Sequence, residues 1–165
     1  MPSESTTESI GHRSLAEFTK RELIVLELRE RDAAGIIAEL SRALRQQDCV
    51  PDVLPFYQAA LNQNLLANSA NGFGIAIAHA RLGGAKELQF ALGRTARPVN
   101  WGTKGSWPVQ LIFLLAVPAT DAASYLHLLS SLARLGRSHE RLAELLVPSD
   151  ASGMLKLLGK IKLAG

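Results

Sequence analysis

His79 and Arg81 are the residues whose types and spacing could carry chemistry together in this chain. An imidazole with a reference pKa of about 6.5 is substantially neutral near pH 7, so one of its nitrogens can act as a nucleophile. Such a nitrogen can accept a phosphoryl group from another phosphohistidine, because the bonds broken and formed are similar in energy. The transfer needs cationic or N–H donors around the phosphoryl oxygens, but no nucleotide pocket. Arg81 and the backbone amides of residues 68–72 are candidate donors.

Motifs for several other chemistries are absent from the sequence. It contains no GxxxxGK[ST] phosphate loop, no HExxH zinc motif and no GxSxG nucleophile elbow. The Gly72-Phe73-Gly74 stretch precedes a predicted strand, so it is not a dinucleotide fingerprint. The four histidines are dispersed and the single cysteine offers neither a disulfide nor a CxxC pattern. We therefore expect no cofactor and no metal.

Composition favours one soluble domain. The chain has 165 residues, of which 47% are hydrophobic, and this is enough to fill a core. The net charge of +3 comes from scattered Lys and Arg, and aromatic residues make up only 5%, which argues against a nucleic-acid partner. No apolar run reaches the roughly 18–20 residues that span a bilayer, and the N-terminus lacks the order of a signal peptide. We expect a cytoplasmic protein without membrane insertion, with a flexible tail at residues 1–13 and a single domain at 14–165.

The position of His79 depends on the apolar run at residues 72–82, which glycines flank. A short apolar run bounded by glycine favours a buried strand over a helix. In open α/β sheets, ligands bind at the carboxyl ends of strands, so a strand ending at His79 would place it at a binding edge. The same position also suits a histidine that caps a turn and does no chemistry.

The remaining patterns predict an α/β layered fold with a mixed sheet. Further strands are predicted at residues 22–28, 86–92 and 109–117, and helices at 32–47, 52–61, 121–135, 139–146 and 151–163. An Asn-rich loop is predicted at 62–72, and an irregular region contains Trp101 and Trp107, which we expect to anchor the core or a loop. A tight reversal at residues 83–84 would pair the strands on either side antiparallel.

The stretch Gly74-Ile75-Ala76-Ile77-Ala78-His79-Ala80-Arg81 resembles the active-site signature of type-2 enzyme IIA domains of the bacterial phosphotransferase system. In that family, which serves fructose and mannitol uptake and nitrogen regulation, an apolar strand leads to Pro-His-Gly and the histidine is phosphorylated. Residues 23–26, 108–118 and 126–135 match the family's layout, so the resemblance covers about residues 15–163. It implies an α/β fold of the phosphotransferase/anion-transport type, with a mixed parallel/antiparallel sheet flanked by helices on both faces.

The resemblance also implies partners. An HPr-type phosphocarrier, or its nitrogen-branch counterpart, would phosphorylate His79. Phosphorylation would then change which regulated protein the chain binds: a kinase, a transporter or a permease component. Because no sugar-transport domain accompanies this sequence, the nitrogen-regulatory branch is the closer comparison.

The comparison also shows departures from the family pattern. Ala78 and Ala80 replace the proline and glycine beside the histidine, and Gln63 and Asn64 replace an Arg-Glu pair whose arginine helps to hold the phosphoryl group. Ser69 retains the family's loop hydroxyl. Tyr125 stands where the family usually has a second histidine, and His127 follows two residues later. The resemblance therefore names Gln63, Ser69, Arg81, Tyr125 and His127 as supporting residues.

Alternatives remain at this stage. His127 shares a helical face with Ser131 and Arg134, which we expect to be solvated, so it could be a plain surface residue. The substitutions around His79 also fit a degenerate family member that binds a partner without being phosphorylated. A small-molecule binding module using a pocket at the sheet edge is a third hypothesis.

Overall fold

The computed structural model describes residues 13–68, 74–82, 84–101, 108–120 and 122–163. Within these residues, five strands form one sheet in the order β1-β4-β5-β3-β2. The strands are β1 (Ile24–Val25), β2 (Asn64–Asn68), β3 (Gly74–Leu82), β4 (Gln89–Asn100) and β5 (Pro108–Pro118). The described α-helices are α1 (Ala33–Gln46), α2 (Val53–Leu61), α3 (Ala122–Gly136), α4 (His139–Leu145) and α5 (Ala151–Leu158). The predicted tail at 1–13 lies outside the described residues except for Arg13.

The sheet is mixed, as predicted. β3 runs parallel to β5 and β1 parallel to β4, whereas β2–β3 and β4–β5 are antiparallel pairs. The predicted antiparallel pairing across residues 83–84 is wrong, because β5 lies between β3 and β4. Residues 111–117 of β5 are all buried, and a strand buried on both faces belongs in the middle of a sheet.

Helices cover both faces of the sheet, as the resemblance implied. One core cluster unites Ile75 and Ile77 of β3 with apolar residues of α3, α4 and α5. The other unites Ala76, Ala78 and Ala80 of the same strand with residues of α1 and α2. The alternation along β3 is the period-two pattern of a strand that is buried on both sides.

Helix starts agree best with the sequence. Asp32 caps α1 by accepting a hydrogen bond from the backbone N–H of Gly35 at 2.7 Å, and Asp150 caps α5 in the same way from Gly153. The C-terminal helix ends at Leu158 rather than at residue 163, and the chain beyond it pairs with the N-terminal segment. Leu15 donates to the carbonyl of Ile161 at 2.9 Å.

Two predicted strands and one predicted loop need correction. Most of the strand predicted at 22–28 is not strand, since residues 21–23 form a 3₁₀ turn and β1 is two residues long. The predicted strand at 86–92 begins later, at Gln89, and continues to Asn100 through the region predicted to be irregular. The predicted loop at 62–72 contains β2, an edge strand. Trp101 is buried, as predicted for an anchor, and Trp107 lies outside the described residues.

The apolar face of α3 is rotated from the predicted one. Leu126 is 58% exposed, whereas Leu128, Leu132 and Leu135 are buried. Ser131 was predicted to be solvated but is buried, and its hydroxyl donates to the carbonyl of His127 at 2.8 Å. This backbone bond satisfies the polar group, which is how a serine enters the buried face of a helix.

Candidate functional site

His79 lies inside β3, three residues before the strand ends at Leu82, rather than at its carboxyl end as predicted. On one side it pairs with Leu115 of β5. On the other side, β2 begins at Asn64, which is opposite Ala78, so the pairing with β2 stops just before His79. The imidazole is half-buried as a result. It reaches solvent because β2 is short, not because β3 has ended.

The side chain of His79 contacts α3. It shares a face of β3 with Ile75 and Ile77, whose cluster includes Tyr125 of α3. The Tyr125 hydroxyl lies 3.1 Å from Nε2 of His79 and 3.5 Å from Nδ1. The ring centroids are 5.2 Å apart at an angle of 51°. The phenol is thus a hydrogen-bond partner for a ring nitrogen.

Arg81 supplies positive charge to the same place. It is exposed, and its guanidinium carbon lies 5.6 Å from the centroid of the Tyr125 ring, within cation–π range. The pKa of His79 lies below 6.5, first because burial disfavours the charged ring and second because Arg81 repels it. Burial raises the pKa of Tyr125, and Arg81 opposes that rise. The pair is therefore a neutral imidazole and a protonated phenol at neutral pH.

A cleft of about 380 Å³ opens beside His79. Besides His79, Arg81 and Tyr125, its walls include Gln63, which the resemblance named as a supporting residue. They also include Asn62, which the sequence analysis missed. Asn62 is the residue that ends α2, and its position directly before Gln63 was the available signal. The other described residues that line the cleft are Ala59 and Ala80.

Two predicted supporting residues are not seen to join this group. His127 is half-buried and is not among the residues that line the cleft. It lies two positions beyond Tyr125 on α3, which turns it about 200° away around a helix. Ser69 lies outside the described residues. The part of the chain that is described holds no group of three His, Cys, Asp or Glu side chains arranged to bind a metal.

The substitutions beside His79 have a packing role. Ala78 and Ala80 are buried on the face opposite the imidazole, together with Phe56 and Ala60 of α2. Small side chains on a strand let a helix lie close to the sheet. Helix α2 in turn leads directly to Asn62 and Gln63, so its packing sets the position of one wall of the cleft.

A comparison with family models decides the relationship. The model for "Phosphoenolpyruvate-dependent sugar phosphotransferase system, EIIA 2" matches residues 17–160, nearly all of the domain. The chain belongs to the type-2 enzyme IIA family. The predicted family is therefore confirmed, on a match that includes the strand carrying His79.

Individual enzyme IIA relatives fit this assignment. A nitrogen regulatory protein of Bradyrhizobium diazoefficiens is 29% identical over 102 residues, which are 62% of this chain and 67% of that protein. A fructose-specific EIIA component of Haloferax volcanii is 28% identical over 137 residues, covering 83% of this chain and 88% of that one.

A solved structure confirms the predicted fold class. The crystal structure of nitrogen regulatory protein IIA-Ntr from Neisseria meningitidis superposes with a TM-score of 0.73 at 25% identity, over 87% of this chain and 98% of that one. No helix in the described part of this enzyme IIA chain is both long enough and apolar enough to cross a membrane.

Proposed function

We propose that this enzyme IIA chain accepts a phosphoryl group on His79 from an HPr-type phosphocarrier, and that its phosphorylation state determines which regulated protein it binds. One observation carries the proposal: a neutral, half-buried imidazole borders a cleft that also holds a guanidinium and a phenol hydroxyl. The regulated partner would be a kinase, a transporter or a permease component.

The proposed step is an exchange between two imidazoles. The unprotonated nitrogen of His79 attacks the phosphorus of the phosphohistidine on the carrier. One N–P bond forms as the other breaks, and the carrier's imidazole leaves with the electron pair of the broken bond. A pKa below 6.5 supports this role, because it keeps the lone pair of His79 available at neutral pH.

The cleft offers donors for the transferred phosphoryl oxygens. Arg81 can form charge-assisted hydrogen bonds, and Tyr125 can redirect its hydroxyl from the ring nitrogen to a phosphoryl oxygen. Asn62 and Gln63 add side-chain amide N–H groups. In this proposal Ser69 is a further hydroxyl donor to the phosphoryl group, as its family position implies. Stabilisation by aimed donors is the main contribution a protein makes to phosphoryl transfer.

The likeness to nitrogen regulatory proteins supports a regulatory role in this proposal. The Bradyrhizobium protein and the Neisseria structure both carry the description of nitrogen regulatory proteins. The Haloferax relative is described as fructose-specific, so the resemblance spans both branches. The proposal takes the regulatory branch because nitrogen regulatory proteins occur among both the sequence relatives and the similar solved structures.

The direct test is an incubation with phosphoenolpyruvate labelled with phosphorus-32, enzyme I and an HPr-type carrier. We expect an acid-labile label on the chain that His79→Ala removes and His127→Ala leaves in place. The second variant is the matched control, because His127 is a histidine that does not line the cleft. A label that survives in His79→Ala, or no label on the wild-type chain with a carrier that labels another enzyme IIA, would contradict the proposal.

A second candidate function rests on the composition of the cleft. Among its described lining residues the positive charge belongs to Arg81, and Gln63 stands where the family has an arginine. This favours a chain that binds its partner without phosphorylation. The candidate predicts that His79→Ala leaves the affinity for that partner unchanged in a calorimetric titration. Loss of binding on phosphorylation of His79 would reject it.

A further inference from the structure

A second cleft, of about 700 Å³, lies at the other end of the sheet from His79. Its walls are residues 28–31, between β1 and α1, and residues 95–100 of β4. Val99 of β4 is level with Val109 of β5, and Val109 with Gly74, five residues before His79 on β3. With β5 between the two strands, this places the cleft roughly 20 Å from the imidazole.

The walls of the second cleft are positively charged. The described lining residues include Arg29, Arg31 and Arg97 and one acidic residue, Glu30, which gives a formal balance of +2. All three arginines are exposed, and in the described part of the chain none of them takes part in an ion pair. Three guanidinium groups around one cavity attract a partner with negative charge.

Hydrogen bonds hold the first wall in place. The carboxylate of Glu39 on α1 accepts from the backbone N–H of Arg29 at 3.0 Å and of Glu30 at 3.1 Å. Leu28 donates its N–H to the carbonyl of Arg94 at 3.0 Å. The backbone that carries Arg29 is thus tied to a helix on one side and to β4 on the other. Such fixed backbone lowers the cost of ordering its side chains around a ligand.

The second wall is a bulge in β4. The register with β5 shifts between Arg94 and Val99, so several residues of β4 stand opposite Gln110 alone. The hydroxyl of Thr95 donates to the carbonyl of Arg97 at 2.7 Å, and the Gln110 amide donates to the carbonyl of Thr95 at 3.2 Å. Bulges re-aim side chains and recur next to binding sites. This one places Arg97 on the same cavity as the arginines of the loop.

We propose that this cleft binds a small, multiply charged anion, either an organic phosphate or a di- or tricarboxylate. Guanidinium groups bind phosphate and carboxylate oxygens in paired hydrogen bonds, and three of them suit a ligand with more than one anionic group. The volume is within the range of small-molecule pockets. None of the described lining residues is aromatic, so recognition rests on charge rather than on stacking. The site uses no residue of the His79 cleft, and it stands apart from the proposed phosphoryl transfer.

The test is isothermal titration calorimetry on the full chain with two probes, inorganic pyrophosphate and citrate. We expect saturable binding of at least one probe at one site per chain, and the preferred probe tells phosphate from carboxylate. Arg31→Gln and Arg97→Gln should each weaken binding about tenfold or more, since each removes a charged hydrogen-bond donor. Arg42→Gln, at an exposed arginine of α1, is the matched control and should bind like the wild type.

Three results would overturn the proposal. The first is that neither probe binds. The second is that Arg42→Gln weakens binding as much as Arg97→Gln, which would mean general charge attraction. The third is that Arg81→Gln abolishes binding and Arg97→Gln does not, which would place the anion beside His79. Circular dichroism checks that each variant is folded. Arg97→Lys, which keeps the charge and loses the paired donors, should bind more weakly than the wild type and more tightly than Arg97→Gln.

Discussion

Burial and Arg81 act in the same direction on the imidazole of His79. Burial is the larger cause of its lowered pKa, and repulsion by the nearby guanidinium adds to it. Arg81, which in the proposed function binds the phosphoryl group, therefore also helps to keep the acceptor nitrogen of His79 unprotonated. The neutral ring becomes available from a lower pH than in an exposed histidine.

The first prediction concerns that pKa. In Arg81→Gln the pKa of His79 should rise towards 6.5 without reaching it, because burial, the larger cause, remains. The titration of the His79 Cε1 proton by NMR measures it, with Arg42→Gln as the control for general charge. An unchanged or lower pKa in Arg81→Gln would show that the guanidinium does not act on the ring.

Stability should follow from the same shift. The pKa of His79 is lower in the folded chain than in the unfolded one, so protonation favours the unfolded chain. The contribution of the neutral His79 ring to the free energy of unfolding is therefore complete only above pH 6.5. This contribution is lost as the pH falls through the folded-state pKa. Urea unfolding measured across that range should show a smaller acid loss for His79→Ala than for the wild type. An equal loss in both would assign the acid sensitivity to other groups.

Gln63 is the position where a single change should improve the site. Gln63→Arg adds a second guanidinium to a cleft whose described walls hold one, in Arg81. If His79 is phosphorylated, we expect the rate of phosphoryl transfer to rise roughly tenfold or more, because aimed charged donors stabilise the transferred group. The rate of transfer from a phosphorylated carrier is measured in reactions quenched at successive times. Gln63→Lys separates the effect of the added charge from that of the paired hydrogen bonds of arginine. A slower transfer would show that a cation at this position does not reach the phosphoryl group.

For single residues, the sequence indicated which side chains belong near His79 better than it indicated the direction in which a side chain points from its helix. Tyr125 and Gln63 were placed near His79 through the family resemblance, and both line its cleft. Asn62 was missed because nothing in its type distinguishes a helix-end asparagine from a turn residue. His127 follows Tyr125 closely along the chain. Residues that are two positions apart on a helix point to different faces, so His127 does not share the face of Tyr125.

At the scale of elements, β2 decides how open the site is. This edge strand is short and begins opposite Ala78, so it leaves His79 beside the cleft. The sequence did not reveal it, because asparagines flank its three apolar residues and asparagine favours turns. Pairing with β3 overrode that local preference. The pairing of β4 with β5 was missed for a similar reason, since the choice of neighbour depends on the whole sheet and not on the turn that follows a strand.

The contact of α3 with β2 provides a prediction at this scale. A Cβ at Gly136 would clash with Cβ of Ala67 and lie 3.0 Å from its carbonyl oxygen. Gly136→Ala should therefore push α3 away from β2 and lower the free energy of unfolding by about 1–3 kcal/mol. Gly153→Ala is the control, because its Cβ would meet only Asp150 Oδ1 at 3.2 Å and Pro148 Cβ at 3.6 Å. Urea unfolding compares the two, and equal stabilities would contradict the tight contact.

The whole molecule separates two charged clefts on one sheet. His79 and Arg81 lie near the carboxyl end of β3, whereas Arg29, Arg31 and Arg97 surround a cavity at the opposite end. A central strand, β5, lies between β3 and β4 and pairs with both of them. The predicted α/β architecture was recoverable from the sequence because apolar runs and helix caps are local signals. The second cleft was not, because it depends on a bulge and a loop that only the folded chain brings together.

The central claim, that His79 carries the phosphoryl group, is tested most directly by mass spectrometry of the intact chain after exposure to a phosphorylated HPr-type carrier. Fragmentation under conditions that preserve phosphohistidine then locates the group. We predict one added phosphoryl group per chain, on His79, and none on His79→Ala. A phosphoryl group on another histidine, or no mass increase while the same carrier phosphorylates a known enzyme IIA, would contradict the claim.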